Sequence, residues 1–320
     1  MKKRLKVLIF GISGQDGSYL AHLLLGKKNE VYGTTRNNNK KNLKNLVRLG
    51  ILNKVKTIKC DIANLLTVKK LINKIKPQKI YYLCGQSSVT KSYIYPVEAF
   101  TSNTFGLLNI LETVKKTNKK IKVFNAVSGQ FYGNRKNNVY NEKSSIDPQS
   151  PYGVSKASSY WLTKIFREWY GVKCCSGILF NHESPLRSDE FVTKKIINHC
   201  KLIKKGKLKY LYLGDIDIYR DWGWAPEYVN AMYLMLGQKY PKDLVIGSGK
   251  KHSLRSFVYE VFRLLEIPKN RLKTKTKKLM RKRDIKAYRA DPRLAKKILK
   301  WKAKTTFKKI IYKMVNEQLY

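Results

Sequence analysis

The chain has 320 residues, enough to bury one large α/β unit or two lobes, and its 43% hydrophobic content is ordinary for a globular protein. Its 67 basic against 21 acidic residues give a formal charge of +46, but the lysines recur in pairs along the whole length, as at Lys40-Lys41, Lys119-Lys120 and Lys296-Lys297, with no basic tail or nucleic-acid-binding signature. Five cysteines without a C-x-x-C pair and four histidines without ligand spacing argue against a disulfide framework and a metal site. No apolar run reaches the roughly 18 residues of a membrane helix, and Val7–Phe10 is too short for a signal-peptide core, so a soluble cytoplasmic protein that binds neither membrane nor nucleic acid is expected. A surface this basic favours an anionic ligand such as a nucleotide diphosphate.

In chain order, Lys6–Phe10 reads as a short buried strand, followed by Gly11-Ile-Ser-Gly14-Gln-Asp-Gly17 and the helical pattern of Tyr19, Leu20, Leu23 and Leu24. A glycine turn between strand and helix lets the backbone approach a pyrophosphate at the positive helix end. Gly11, Gly14 and Gly17, with Gln15 and Asp16 between them, are therefore candidate dinucleotide contacts. The second strand, Glu30–Thr34, runs into Thr35-Arg36. An acidic residue there would bind the ribose hydroxyl of NAD, whereas Arg36 suits a 2′-phosphate, so NADP is the expected cofactor.

Alternation continues through a strand over 54–60, with Asp61 placed to meet the adenine end, a helix near Val68–Ile75 and a strand over 79–84. After the polar turn Gly85-Gln86-Ser87-Ser88 come a helix over about 96–116 and a strand over 120–125 that delivers Ser128 and Gln130. This rhythm implies an α/β fold with a doubly wound parallel sheet and ligands at the C-terminal strand ends. Tyr152 and Lys156 are four apart at the start of the next helix, which runs to about Tyr170, and share one face. An ammonium beside a phenol stabilises the phenolate, making Tyr152 a candidate proton acceptor. Past Gly177–Phe180 the pattern loosens into polar Asn181–Arg187, Arg220-Asp-Trp-Gly223, a basic run over 269–286 and a short helix within 291–301. Residues 1–180 thus read as the cofactor domain, with a returning segment near 213–240, and 181–320 as mainly a smaller substrate lobe.

The glycine motif, Ser128 and Tyr152-x-x-x-Lys156 together resemble the Rossmann-like extended short-chain dehydrogenase/reductases. Gly11–Leu20, Gly85–Val89, Gly177–Arg187, Phe191–Ile196 and Arg220–Ala225 resemble the GDP-mannose 4,6-dehydratase family in particular. The resemblance implies that Tyr152 takes the O4 proton of a GDP-hexose as C4 gives hydride to NADP. Ser128 would bond the same oxygen, and Lys156 would lower the tyrosine pKa and bind the nicotinamide ribose. It further implies cofactor contacts at Gln86 and substrate contacts at Ser88, Asn181, Glu183, Arg187, Lys195, Arg220 and Arg281. A homodimer or homotetramer built on the helices near 96–116 and 152–170 is also implied, as is a role in deoxysugar synthesis for surface polysaccharide.

One residue departs from the family pattern. Two positions after the catalytic Ser/Thr such dehydratases carry a glutamate that removes the C5 proton, and here stands Gln130, whose neutral amide cannot accept it usefully. Three readings follow: a 4,6-dehydratase with another base or a water held by Gln130 or Tyr132; a GDP-sugar oxidoreductase acting at C4 only, as reductase, dehydrogenase or epimerase; and a catalytically silent or nucleic-acid-binding relative.

Overall fold

Side chains alternate across a strand, and in this chain both faces of the central strands are apolar. In Lys6–Phe10, Val7 and Ile9 enter the core on one side while Leu8 and Phe10 enter the core on the other. Tyr81 and Phe124 join the first core, and Ile80, Tyr82 and Val123 join the second. Strands buried on both faces need helices on both faces, which parallel pairing with helical crossovers supplies. The computed structural model describes residues 4–39, 41–134, 138–277 and 285–320.

Seven parallel strands form the sheet in the order Leu244–Ile246, Cys174–Leu179, Lys122–Ser128, Lys79–Tyr82, Lys6–Phe10, Glu30–Thr35 and Lys56–Lys59. The order reverses beside Lys6–Phe10, whose neighbours are the second and fourth strands of the chain, and that switch point opens a crevice at the carboxyl ends. Helices Gln15–Gly26, Ala225–Met235 and Arg293–Leu299 cover one face. Leu65–Ile75, Gly106–Thr117 and Pro151–Glu168 cover the other. A separate apolar cluster joins Ile196, Ile197, Trp222, Phe257, Val261, Ile310 and Met314, from three helices and the Trp222–Trp224 strand beyond residue 180.

The α/β parallel architecture expected from the sequence is the one observed. The sheet also recruits Leu244–Ile246, three residues with no periodicity of their own, through pairing with Gly177–Leu179. The helix expected over 96–116 is broken by a π turn at Thr101–Phe105 between Pro96–Phe100 and Gly106–Thr117. That extra residue aims Asn103 and Thr104 inward: Asn103 Nδ2 donates to Gln86 O at 3.0 Å and to Ser155 Oγ at 3.2 Å, and Thr104 Oγ1 donates to Ser155 O at 2.9 Å. The turn thereby fixes the start of the Pro151–Glu168 helix against the loop after Lys79–Tyr82. No helix of the described residues is long and apolar enough to cross a membrane.

Candidate active site

A cavity of about 940 Å³ opens at the carboxyl ends of the strands and runs from the glycine turn to the segment around Tyr288. At Gly11 and Gly17 only hydrogen fits. A Cβ on Gly17 would lie 2.2 Å from Gly11 O, and one on Gly11, whose φ is +91°, would lie 2.9 Å from Cys84 N. Gly14 caps the helix Gln15–Gly26 without any side-chain hydrogen bond, so the first-turn amides at the positive helix end receive no protein cap. A close-approach cradle with uncapped donors fits the pyrophosphate of a dinucleotide. The one carboxylate of that turn, Asp16, accepts from His182 Nε2 at 2.9 Å. Gln15 ties the turn to the segment 182–184, donating to His182 O at 3.2 Å and accepting from Ser184 Oγ at 2.8 Å.

The Pro151–Glu168 helix starts where its sequence dictates: Ser150 Oγ accepts from Gly153 N at 3.0 Å, and Pro151 occupies the first turn. Tyr152 N donates to Ser92 Oγ at 3.1 Å, which fixes the phenol at the cavity wall. Burial raises the Tyr152 pKa above its ordinary value, opposed by a hydrogen bond from Ser128 and by the charge of Arg187. Lys156 Nζ donates to Ala126 O at 2.8 Å and stands 5.9 Å from the Tyr152 ring centroid. Burial pushes its ammonium down to about 8, with Cys84 and Asp16 acting the other way. Lys156 thus lies over the Tyr152 ring while its ammonium is held by the Ala126 carbonyl at the strand end, and the charge of Arg187 adds to the electrostatics of the phenol. Arg187 is itself aimed by Glu183 Oε2 at 3.4 Å and packs its guanidinium 3.7 Å over the Phe191 ring.

Ser128 ends its strand and accepts from Gln130 N at 3.3 Å. Gln130 Nε2 donates to the Tyr288 hydroxyl at 2.9 Å, and that hydroxyl donates to Asn181 Oδ1. Tyr288 lies between the Phe180 ring, centroids 5.1 Å apart, and the Arg220 guanidinium, 5.2 Å from its own centroid. Tyr132, the other group named from the sequence as a source of a held water, points elsewhere. It is 1% exposed, stacks on Tyr140 and donates to Asn141 O at 2.8 Å, since the turn Gly129–Tyr132 rotates it into the core.

Of the residues expected from the sequence, Gly11, Gly14, Gln15, Asp16, Gly17, Ser88, Ser128, Gln130, Tyr152, Lys156, Asn181, Glu183, Arg187 and Arg220 line this one cavity. Four do not border it. Arg36 extends into solvent, 89% exposed, and pairs with Glu98 at 3.2 Å; Asp61 accepts from Ala63 N at 3.0 Å in its own turn. Gln86 is turned back on Ser88 O at 2.8 Å, and Lys195 lies half-buried on the helix Val192–Lys204. Arg281 lies outside the described residues. Tyr288 and His182 line the cavity and were missed by sequence reasoning, as was Asn103, which braces the Gln86 loop behind it. Tyr288 meets Gln130 across 158 positions, with no local pattern to announce it.

Asp221 holds this arrangement together. Fully buried, it accepts from Ser248 N and Oγ, Gly249 N and Ala290 N at 2.6–3.1 Å, which pins the strand Arg289–Ala290 directly after Tyr288. Among the described residues no group of three His, Cys, Asp or Glu is placed to hold a metal.

Comparison with known proteins agrees with this geometry. The family model described as GDP-mannose 4,6 dehydratase matches residues 8–314. GDP-mannose 4,6 dehydratase 1 of Arabidopsis thaliana is 35% identical over 100% of this chain and 91% of its own. The Homo sapiens GDP-mannose 4,6 dehydratase is 36% identical over 98% of this chain and 91% of its own. Among solved structures, the UDP-glucose 4-epimerase of Thermotoga maritima superposes with a TM-score of 0.86 at 21% identity, covering 98% of both chains, a likeness of fold. With a match that spans both the sheet and the lobe beyond it, the chain belongs to the GDP-mannose 4,6-dehydratase family.

Proposed function

We propose that this protein is a GDP-mannose 4,6-dehydratase, converting a GDP-hexose to its 4-keto-6-deoxy form with NADP. The observation that carries the reading is the convergence of Ser128, Tyr152 and Lys156 in one cavity with the glycine cradle and the Asn181–Arg187 wall. A nicotinamide held by the glycine cradle would supply the hydride acceptor for C4 and the hydride donor for C6. Tyr152 takes the O4 proton, Ser128 bonds the same oxygen and steadies the phenolate, and Lys156 donates to the ribose. Asn181, Arg187 and Arg220 bind the GDP-sugar, the arginines supplying the charge-assisted donors a diphosphate needs. Arg36, whose only ion pair among the described residues is solvent-exposed, takes the 2′-phosphate, and Asp61 the adenine end. The first 180 residues with the returning helix Ala225–Met235 serve the cofactor, and the lobe beyond serves the nucleotide sugar.

Val97, Phe105, Trp161, Ile165 and Trp169 expose between 43% and 82% of their surface on the helices expected to pair, which supports a homodimer through them. A nucleotide-sugar substrate points to cytoplasmic deoxysugar synthesis.

The test is incubation with GDP-mannose and NADP⁺ while the sugar is followed by mass. Loss of one water without net cofactor reduction is expected. Gln130 favours a second reading, a GDP-sugar oxidoreductase acting at C4 alone, which predicts net NADPH formation or turnover only of a 4-keto sugar with NADPH.

A further inference from the structure

Elimination needs a group that takes the C5 proton, and Gln130 cannot be that group. Its amide is nevertheless bonded to one that can. Tyr288 Oη receives the Gln130 Nε2 hydrogen at 2.9 Å, borders the same cavity as Ser128 and Tyr152, and belongs to a side chain only 2% exposed. Its position is over-determined: Phe180 packs on the ring, Asn181 accepts from the hydroxyl, and the following strand is anchored by Asp221 and by Arg289 N donating to Asn138 O at 2.8 Å.

Resting on the dehydratase reading, we propose that Tyr288 is the proton-transfer group of the elimination step. Its phenolate takes the C5 proton of the 4-keto sugar. The C5–H electron pair becomes the C5–C6 double bond, the C6–O bond breaks, and the departing hydroxide receives the same proton from Tyr288 and leaves as water. Tyr288 ends the step as the phenolate that began it.

The surroundings suit this cycle. Among the described residues, Arg220, whose guanidinium lies 5.2 Å from the ring centroid, and Tyr228 on the helix Ala225–Met235, which feels its charge, face Tyr288. Lys286, two residues before it, is occupied by Asp215 at 2.7 Å. Arg220 and the Gln130 donor both favour the phenolate. A half-turn of the Asn181 amide presents its NH2 in place of its oxygen and gives the phenolate a second donor. A glutamine at position 130 thereby changes from a missing base into the residue that supports one.

The experiment starts from the ketone, so that it does not depend on hydride transfer. The full-length protein is mixed with a GDP-4-keto-6-deoxyhexose in deuterated buffer, and exchange at C5 is followed by NMR across pH. The wild type is expected to exchange C5 above the solvent background, at a rate that rises with pH. Tyr288→Phe is expected to lower that rate by about 10²-fold or more. Replacing Tyr288 site-specifically with 3-fluorotyrosine, a more acidic phenol of almost the same shape, is expected to move the rising limb to lower pH, which a purely structural role would not do. Background exchange in the wild type, exchange in Tyr288→Phe within about threefold of wild type, or an unmoved limb in the fluorinated protein would each overturn the proposal. Failure to reduce NADP⁺ transiently with GDP-mannose would instead count against the dehydratase reading.

Discussion

His182 Nε2 lies 2.9 Å from Asp16 Oδ2, joining the first turn of the helix Gln15–Gly26 to the strand Asn181–Glu183 on the wall of the same cavity. The other ring nitrogen faces Phe180 O at 2.8 Å, so the protonated ring donates at both ends, and Tyr228 stacks beneath it with centroids 4.6 Å apart.

Burial disfavours charge on both partners, yet their attraction outweighs it. Asp16 is held below the ordinary carboxylate range and His182 above the ordinary imidazole range. The carboxylate contributes stability that is present above its unfolded pKa of about 3.8 and lost as pH falls through its lower folded value. The imidazolium contributes stability that is present below about 6.5 and lost as pH rises through its higher folded value. His182→Gln is expected to cost about 3 kcal/mol near pH 5.5, a loss that shrinks on the alkaline side. Melting temperatures of both proteins between about pH 5 and 9 check this; a constant difference would show that the pair does not carry the charge.

Gln130→Glu replaces the donor that supports a Tyr288 phenolate with a carboxylate that can itself take the C5 proton, so the base passes from Tyr288 to position 130. It is expected to raise the elimination rate by about 10-fold to 10²-fold, measured as water loss from GDP-mannose by mass. No gain would mean that proton removal at C5 is not the slow step.

Asp221 satisfies four donors from two segments while buried, so all its partners favour the ionised form even as burial raises its pKa. Asp221→Ala strands these donors and is expected to cost about 3–5 kcal/mol in urea unfolding. Because the strand Arg289–Ala290 loses an anchor, C5 exchange should fall more than cofactor binding, which separates this substitution from a general loss of fold.

Glu317 gathers Lys194 and Lys201 at 3.0 Å each and Arg48 at 2.8 Å, tying the C-terminal segment to two helices. Burial works against its charge, but hydrogen bonds from the two lysines hold its pKa at about 2. A lowered carboxylate contributes above its ordinary value and loses that contribution as pH falls toward 2. Its side chain is 37% exposed, so solvent screening limits the effect: Glu317→Gln is expected to cost about 1 kcal/mol at pH 7, less than half of that near pH 3, and to approach nothing only toward pH 2, read from urea midpoints.

Gly17→Ala would force a Cβ to 2.2 Å from Gly11 O, which backbone cannot yield without opening the turn. Loss of NADP⁺ binding by more than about 10²-fold is expected in calorimetry. Retained binding would show that the cradle is not the pyrophosphate site.

Local order wrote much of this protein into its sequence. Period-two burial on both faces of Lys6–Phe10, the glycine turn before Tyr19 and the four-residue step from Tyr152 to Lys156 depend on spacing alone, so the sheet, the tight glycine turn and a Tyr–Lys pair on one helix face are legible along the chain. Short pieces that take their shape from partners were not: Leu244–Ile246 is a strand because Gly177–Leu179 offers it an edge, and the π turn at Thr101–Phe105 exists to aim Asn103. The same limit applies in the site. From the residues alone, Lys156 shares a face with the Tyr152 phenol; the tertiary structure adds the Ala126 carbonyl that holds its ammonium at 2.8 Å and the charge of Arg187, which no spacing announces. Gln130, read alone, is a base that is missing. Only folding brings Tyr288 to it across 158 residues, because a buried carboxylate at Asp221 gathers the backbone of two distant segments and sets that phenol where no sequence motif points.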